Sequence, residues 1–247
     1  MSKRYQVTEG IVIRRTELPS GDIIATLLSR EGKWRGVARK GKLLGGNLGR
    51  LSLFHDVTVQ YYRKSDENLA LMTQIQLNGA LARLTEPTVY PYAHVLAELA
   101  DHLTVDVHLG ENFYEYLTSA LRGLAHHTDP EAVTLAYGWK LLQQAGLSPR
   151  LQGCAHCGAI ETINRFDVAA GGLSCANCRS GFLLSETALR ELIVMVSGTV
   201  RSALALPLEA RAEHWAVFSR YLAYHVGDMH APSQLRRMLT AEEARAS

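Results

Sequence analysis

No stretch of this 247-residue chain approaches the roughly eighteen unbroken apolar residues that a membrane helix requires. Its first residues, MSKRYQVTEGIVIRR, lack the apolar core of a secretory signal, so a cytoplasmic protein with no membrane partner is expected. Enzyme signatures are missing too. There is no G-x-S-x-G elbow and no H-E-x-x-H, and GKLLGGNLGR has neither the spacing nor the G-K-[ST] ending of a phosphate-binding loop. With no constellation able to hold a reacting group, neither catalysis nor a small-molecule substrate is expected. Cysteine is scarce, and all four residues fall between positions 154 and 178. Acids are absent from residues 32 to 50, a run that holds six cations.

What is present suits a folded protein. A hydrophobic share of 47 % against 20 % charged argues against disorder, and the length is enough for two domains. The formal net charge of +2 conceals an asymmetry. Residues 1 to 64 carry thirteen Lys and Arg against five acids, a net of +8, whereas residues 65 to 150 come to −6 and residues 151 to 247 balance. One end of the chain is built to meet a polyanion.

The first eighty residues read as five short strands. Tyr5, Val7, Ile11 and Ile13 alternate along one face, and Ile23, Ala25 and Leu27 along another. A short strand covers Trp34 to Ala38; Leu51, Leu53, Val57, Val59 and Tyr61 form the next, and Leu69, Leu71, Ile75 and Leu77 the last. With turn formers between them and glycines such as Gly10 and Gly36 to bend them, the strands suit a small closed barrel. The OB-fold is the commonest five-stranded barrel that binds oligonucleotides, and an SH3-like barrel satisfies the same pattern.

After LTEPTVYP the period turns helical, with Leu96, Leu99 and Leu103 on one face and Phe113, Leu117, Leu121 and Leu124 on the next. A third helix has Asp129 as N-cap, Pro130 in its first turn and Gly146 past its end. Helices resume after Ser185, from Pro207 to Gly227, and after Pro232. The expected architecture is α+β and multidomain. An N-terminal five-stranded OB-fold β-barrel over residues 1–80 precedes an α-helical domain over 81–247, interrupted at 150–182 by a four-cysteine zinc module.

Cys154 with Cys157, and Cys175 with Cys178, are two C-x-x-C knuckles seventeen residues apart, within zinc-ribbon spacing. Each knuckle offers two sulfurs to one side of an ion. Four thiolates would fill the coordination sphere and leave no open position, so a single structural Zn2+ is expected rather than a catalytic one. A redox role for one C-x-x-C pair is the alternative, although such sites use a single pair where a strand enters a helix.

The basic end carries the candidate function. Lys33, Arg35, Arg39, Lys40, Lys42 and Arg50 follow one another without an acid, Arg14 and Arg15 end the first strand, and Arg63 and Lys64 end the fourth. Strand ends and loops meet on a barrel, so these cations are expected to form one phosphate-binding patch. Trp34, Tyr61 and Tyr62 offer faces for stacking unpaired bases, although an aromatic in a strand is as often core. The plainer possibility is a solvated basic loop.

The run ARKGKLLGGNLGRLSLFHDVTVQYYRKSDENLALMTQIQL, the entry GLSPRLQGCAHCG and the order barrel, helices, CAHC…CANC resemble the bacterial RecO family over nearly the whole chain. The resemblance implies a recombination mediator without turnover. It would bind single- and double-stranded DNA without sequence preference, anneal complementary strands, and with RecR help load RecA onto DNA coated by single-strand-binding protein, at the nucleoid. Under the same resemblance Lys33, Arg35, Arg39, Lys40, Lys42 and Arg50 contact DNA, with Arg14, Arg15, Arg63 and Lys64 beside them, and the four cysteines ligate zinc. The rival class is a zinc-stabilised interaction scaffold or regulator without annealing activity.

Overall fold

The computed structural model describes residues 5–43, 46–63, 69–104, 110–235 and 237–238. It packs as two units, the first ending at His126 and the second starting at His127.

In the first unit, strands β1 (Gln6–Glu17), β2 (Ile23–Ser29), β3 (Gly32–Ala38), β4 (Asp56–Tyr62) and β5 (Ala70–Gly79) close into a barrel in the order β1-β2-β3-β5-β4. Every pairing is antiparallel except β3 with β5, which meet in parallel through Gly36↔Ala70 and Val37↔Leu71. This order is OB-like, which decides between the two expected barrels. β-Branched and aliphatic side chains at alternate positions fill the interior, among them Val12, Ile23, Leu27, Val57, Val59 and Ile75. Two glycines permit the closure. A Cβ on Gly10 would stand 2.4 Å from the Leu28 carbonyl oxygen, and one on Gly36 would stand 2.4 Å from the Trp34 ring.

The expected faces of two strands and the start of a third are corrected. On β1 the core residue is Val12, while Tyr5 and Val7 are exposed and Ile11 and Ile13 are buried on the opposite side. A bulge between Val12 and Arg14 shifts the register, and helix α1 (Tyr90–Leu103) packs against β1, so alternation alone misassigns the interior. On β5 it is Ala70, Met72 and Ile75 that face inward, leaving Leu69 and Leu77 exposed, because the pairing with β4 slips at both ends. The fourth strand starts at Asp56 rather than Leu51. Phe54, at φ 67, breaks the extended run, although Leu51 is still fully buried in the barrel. Helix α2 (Gly110–His126) completes this unit, so the change from strand to helix near residue 80 precedes the packing boundary.

The second unit begins with α3 (Pro130–Gln144). The Asp129 carboxylate accepts the Ala132 amide at 3.0 Å, and Gly146, at φ 76, turns the chain out of the helix. A three-stranded sheet of β6 (Ile163–Asp167), β7 (Gly172–Cys175) and β8 (Phe182–Leu183) carries the cysteines. Helices α4 (Glu186–Ser197), α5 (Val200–Leu204) and α6 (Arg211–His225) follow, with a last helical stretch from His230. α5 has no counterpart in the expected pattern, and α6 starts at Arg211 rather than Pro207. The Glu191 carboxylate binds the amides of Glu209 and Ala210 at 3.0 and 3.2 Å and so holds the approach to α6 out of the helix. Trp139 of α3 meets Phe218 and Tyr221 of α6 edge to face, at centroid distances of 5.2 and 5.3 Å.

Candidate nucleic-acid interface and four-cysteine centre

The loop between β3 and β4 is folded back on the β1–β2 turn. Asp22 accepts the Lys40 amide at 2.8 Å and the Gly21 carbonyl accepts the Lys42 amide at 3.1 Å, with Lys40 itself in the left-handed region at φ 50. At the end of β1, Glu17 pairs with the Lys42 ammonium at 2.8 Å and the Arg15 guanidinium at 3.1 Å. Arg15 also reaches the Leu48 carbonyl at 3.4 Å, and the Leu48 amide closes on Gly41 at 3.0 Å. Arg50 holds Asn47 of the same loop at 3.0 Å. Arg15, Lys40, Lys42 and Arg50 are thereby gathered into one loop cluster, and Arg39 is near enough for its charge to act on Asp22. The Lys42 ammonium draws the Glu17 carboxyl below its ordinary range, and the Lys40 amide does the same for Asp22, so both acids act as built-in counter-ions.

Three more candidates lie on the outer surface of the sheet. The register sets Arg14 beside Thr26 and Thr26 beside Arg35 across β1, β2 and β3. Arg14 and Lys33 both turn to Asp101 on α1, at 3.4 and 3.0 Å, and the Lys33 ammonium also donates to the Asp101 carbonyl at 2.8 Å. Among the described residues Arg35 and Arg39 have no ion-pair partner. Arg63 follows β4, its guanidinium 5.8 Å from the Tyr61 ring centre. Lys64 lies outside the described residues. Trp34 is core: its ring is 9 % exposed and packs on Tyr61 with centroids 4.9 Å apart. Its edge lines a cavity of about 580 Å³ shared with Val7, Arg30, Tyr61 and Tyr114.

In the second unit the four Sγ atoms lie within 4.8 Å of one another. Cys154 to Cys178 and Cys157 to Cys175 are each 3.7 Å, so each knuckle faces the other. A Zn–S bond of about 2.3 Å implies a tetrahedral edge of about 3.8 Å, and the spacing fits. The turns repeat one another. Gly158 donates to the Cys154 carbonyl and Arg179 to the Cys175 carbonyl, and both residues have positive φ, 78 and 56. Backbone amides, that of Cys157 foremost, pull the Cys154 thiol down to about 5, while the neighbouring sulfurs, Cys157 foremost, push Cys178 up to about 12. Four such sulfurs ionise together only when a cation compensates them, so the donor set fits a metal ion.

Asp167 braces this centre. It accepts from His156 of the first knuckle at 3.0 Å and from the Ser180 hydroxyl just beyond the second, and the Ser180 bond is the foremost reason its carboxyl is held down to about 2. Phe166, its neighbour, packs on Tyr221 of α6, and His225 meets the Val168 carbonyl at 2.8 Å. Asp167, Glu17, Asp22 and Asp101 escape a reading of the sequence, because nothing local distinguishes an acid that folding brings to a distant cation.

Comparison with known proteins covers most of the chain. The family model described as Recombination protein O N terminal matches residues 1–80, and that described as Recombination protein O C terminal matches residues 84–234. A protein named DNA repair protein RecO from Thermobifida fusca is 30 % identical over 226 residues, spanning 88 % of this chain and 92 % of its own. One of the same name from Streptomyces avermitilis is 32 % identical over 234 residues, spanning 88 % and 93 %. Among the described residues no helix is long and apolar enough to cross a membrane.

Proposed function

This chain belongs to the RecO family of DNA repair proteins, and on that premise we propose that it binds single- and double-stranded DNA without sequence preference and anneals complementary strands. In this reading residues 1–80 form the nucleic-acid-binding domain, and residues 81–247, with the cysteine module at 150–182, form the helical domain. The protein works without catalytic turnover at the nucleoid, and with RecR it helps load RecA onto DNA coated by single-strand-binding protein. The cysteines hold one Zn2+, which keeps the module folded and takes no part in the chemistry.

The observation that carries the reading is the loop cluster, in which the side chains of Arg15, Lys42 and Arg50 are held by hydrogen bonds and ion pairs and the backbone at Lys40 is pinned to Asp22, with the exposed Arg39 and Lys40 side chains beside them. A fixed set of cations meets successive phosphates without first losing conformational freedom. Two complementary strands repel each other, and neutralising their phosphates while leaving base edges open lowers that repulsion without blocking pairing. Phosphate contacts carry no sequence code.

The reading is tested by the salt dependence of binding. Log affinity for single strands is expected to fall with log salt by about 0.7 per phosphate neutralised, and Arg35→Ala with Arg39→Ala together to reduce that slope by about one to two units. An unchanged slope moves the site elsewhere. A protein that binds DNA no better than a neutral control at physiological salt is the scaffold of the alternative reading.

A further inference from the structure

We propose that the outer surface formed by the end of β4 and the start of β1 is a stacking platform selective for single-stranded DNA, in which Tyr5 and Tyr62 take unpaired bases and Arg63 meets the adjoining phosphate. The inference rests on the reading of the barrel as a DNA-binding domain, and adds to it the element that separates single strands from duplex.

The pairing of Gln6 with Tyr61 brings Tyr5 alongside Tyr62 on the outside of the barrel, with ring centroids 6.2 Å apart. Their planes are tilted by 58°, so the two rings do not stack face to face on each other. Tyr5 is 53 % exposed and Tyr62 36 %, and Val7 beside them is 63 % exposed. An apolar group of this kind, left in water by a strand that buries Ile11 and Val12 a few residues later, marks a contact surface. Among the described residues these are the two exposed aromatic side chains of the barrel strands and their immediate flanks.

The chemistry of the surroundings favours nucleic acid over a protein segment. Between Tyr5 and Tyr62 the backbones of β1 and β4 are already paired, from Gln6↔Tyr61 onward, so recognition at this seam passes through side chains. Arg63 follows Tyr62 in the chain, its guanidinium 5.8 Å from the core-packed Tyr61 ring and its Nε buried, so it must swing outward to meet a phosphate, and the nearest outward residues on β4 and β5, Gln60, Thr73 and Gln74, are uncharged groups able to hydrogen-bond base edges. The opposite side of the barrel cannot serve. Asp101 of α1 joins Arg14 on β1 to Lys33 on β3, so the end of α1 lies across β2, where Thr26 and Leu28 are buried, and Trp34 points inward.

The experiment compares binding of three probes of equal length by the full chain across a salt series: a thymidine oligomer, an abasic deoxyribose-phosphate strand and a duplex. Wild type is expected to bind the thymidine strand at least tenfold more tightly than the abasic one, since each stacked base contributes about that factor. Tyr5→Ala with Tyr62→Ala should erase the difference while leaving duplex affinity and salt slope unchanged, and the Phe pair should keep it. Equal wild-type affinity for thymidine and abasic strands overturns the platform without any variant being made. So does an alanine pair that keeps its thymidine preference, or that loses only binding to a protein partner. Failure of the underlying reading looks different, because wild type then binds none of the three probes above a neutral control.

Discussion

The ammonium of Lys33 lies 3.0 Å from the Asp101 carboxylate and 2.8 Å from the carbonyl of the same residue, so a cation of the basic run serves as a cap on the last turn of α1. A positive charge at a helix C-terminus meets the negative end of its dipole. Lys33→Ala is therefore expected to lower stability by about 1–2 kcal/mol while changing the salt slope of DNA binding less than Arg39→Ala does. Thermal unfolding and salt titration of the two variants side by side check this. A larger slope change for Lys33→Ala would make it a DNA contact first.

The four-cysteine centre makes a stoichiometric prediction. Native protein should carry one zinc per chain and show no titratable thiol, and unfolding it with a chelator present should release the metal and reveal four thiols. Cys154→Ser, at the buried end of the set, is expected to abolish high-affinity metal binding and to loosen residues 150–182, which amide exchange would detect. Free thiols in the native, metal-replete protein would instead support redox chemistry.

Acid should weaken the second unit through one buried pair. His214 and Glu191 are 1 % and 2 % exposed side chains joined at 2.7 Å. Burial pulls the His214 pKa below its ordinary 6.5. Burial pushes Glu191 up, but the amides of Glu209 and Ala210 and the imidazole outweigh it, and the net shift is below 4.5. In both cases the unfolded chain binds protons more readily than the folded one. Stability is full above pH 6.5, falls as His214 is forced to charge, and falls again below pH 4.5 as Glu191 is protonated. Glu191→Gln should be less stable than wild type at pH 7 and lose less on passing from pH 5 to pH 3. A parallel loss in both proteins would assign acid sensitivity to other groups.

Gly138 of α3 lies directly against Phe218 of α6. A Cβ there would stand 2.4 Å from Cζ of the fully buried Phe218. Gly138→Ala, which gains helix propensity in isolation, is expected to destabilise by about 1–3 kcal/mol, and combining it with Phe218→Leu should recover part of the loss. Denaturant unfolding of the single and double variants measures the coupling. An unaffected single variant would mean that the helices shift freely.

What the sequence discloses follows the range of the interactions concerned. The knuckles Cys154/Cys157 and Cys175/Cys178 and the cap at Asp129 are local patterns, and they appear in the structure where their spacing puts them. The barrel's five strands are likewise periodic signals. The faces of β1 and β5 are not, because a bulge at Val12/Arg14 and a helix from residues 90–103 decide which side of the strand is covered. The same distance hides the partners of the basic run. Lys33 meets Asp101 across sixty-eight positions, and no window over residues 32–50 contains that acid. Tyr5 and Val7 carry the same lesson, since they alternate like core residues yet stay in water.

The barrel is hooped by four long ladders and one short parallel stitch of two residue pairs, Gly36 with Ala70 and Val37 with Leu71. A cylinder under thermal stress gives way at its thinnest join, and here the join lies beside Trp34, whose buried indole nitrogen has no hydrogen-bond partner among the described residues. Breathing of the barrel would then run along that line, wetting the indole before any other part of the interior, and tryptophan emission would register each gape.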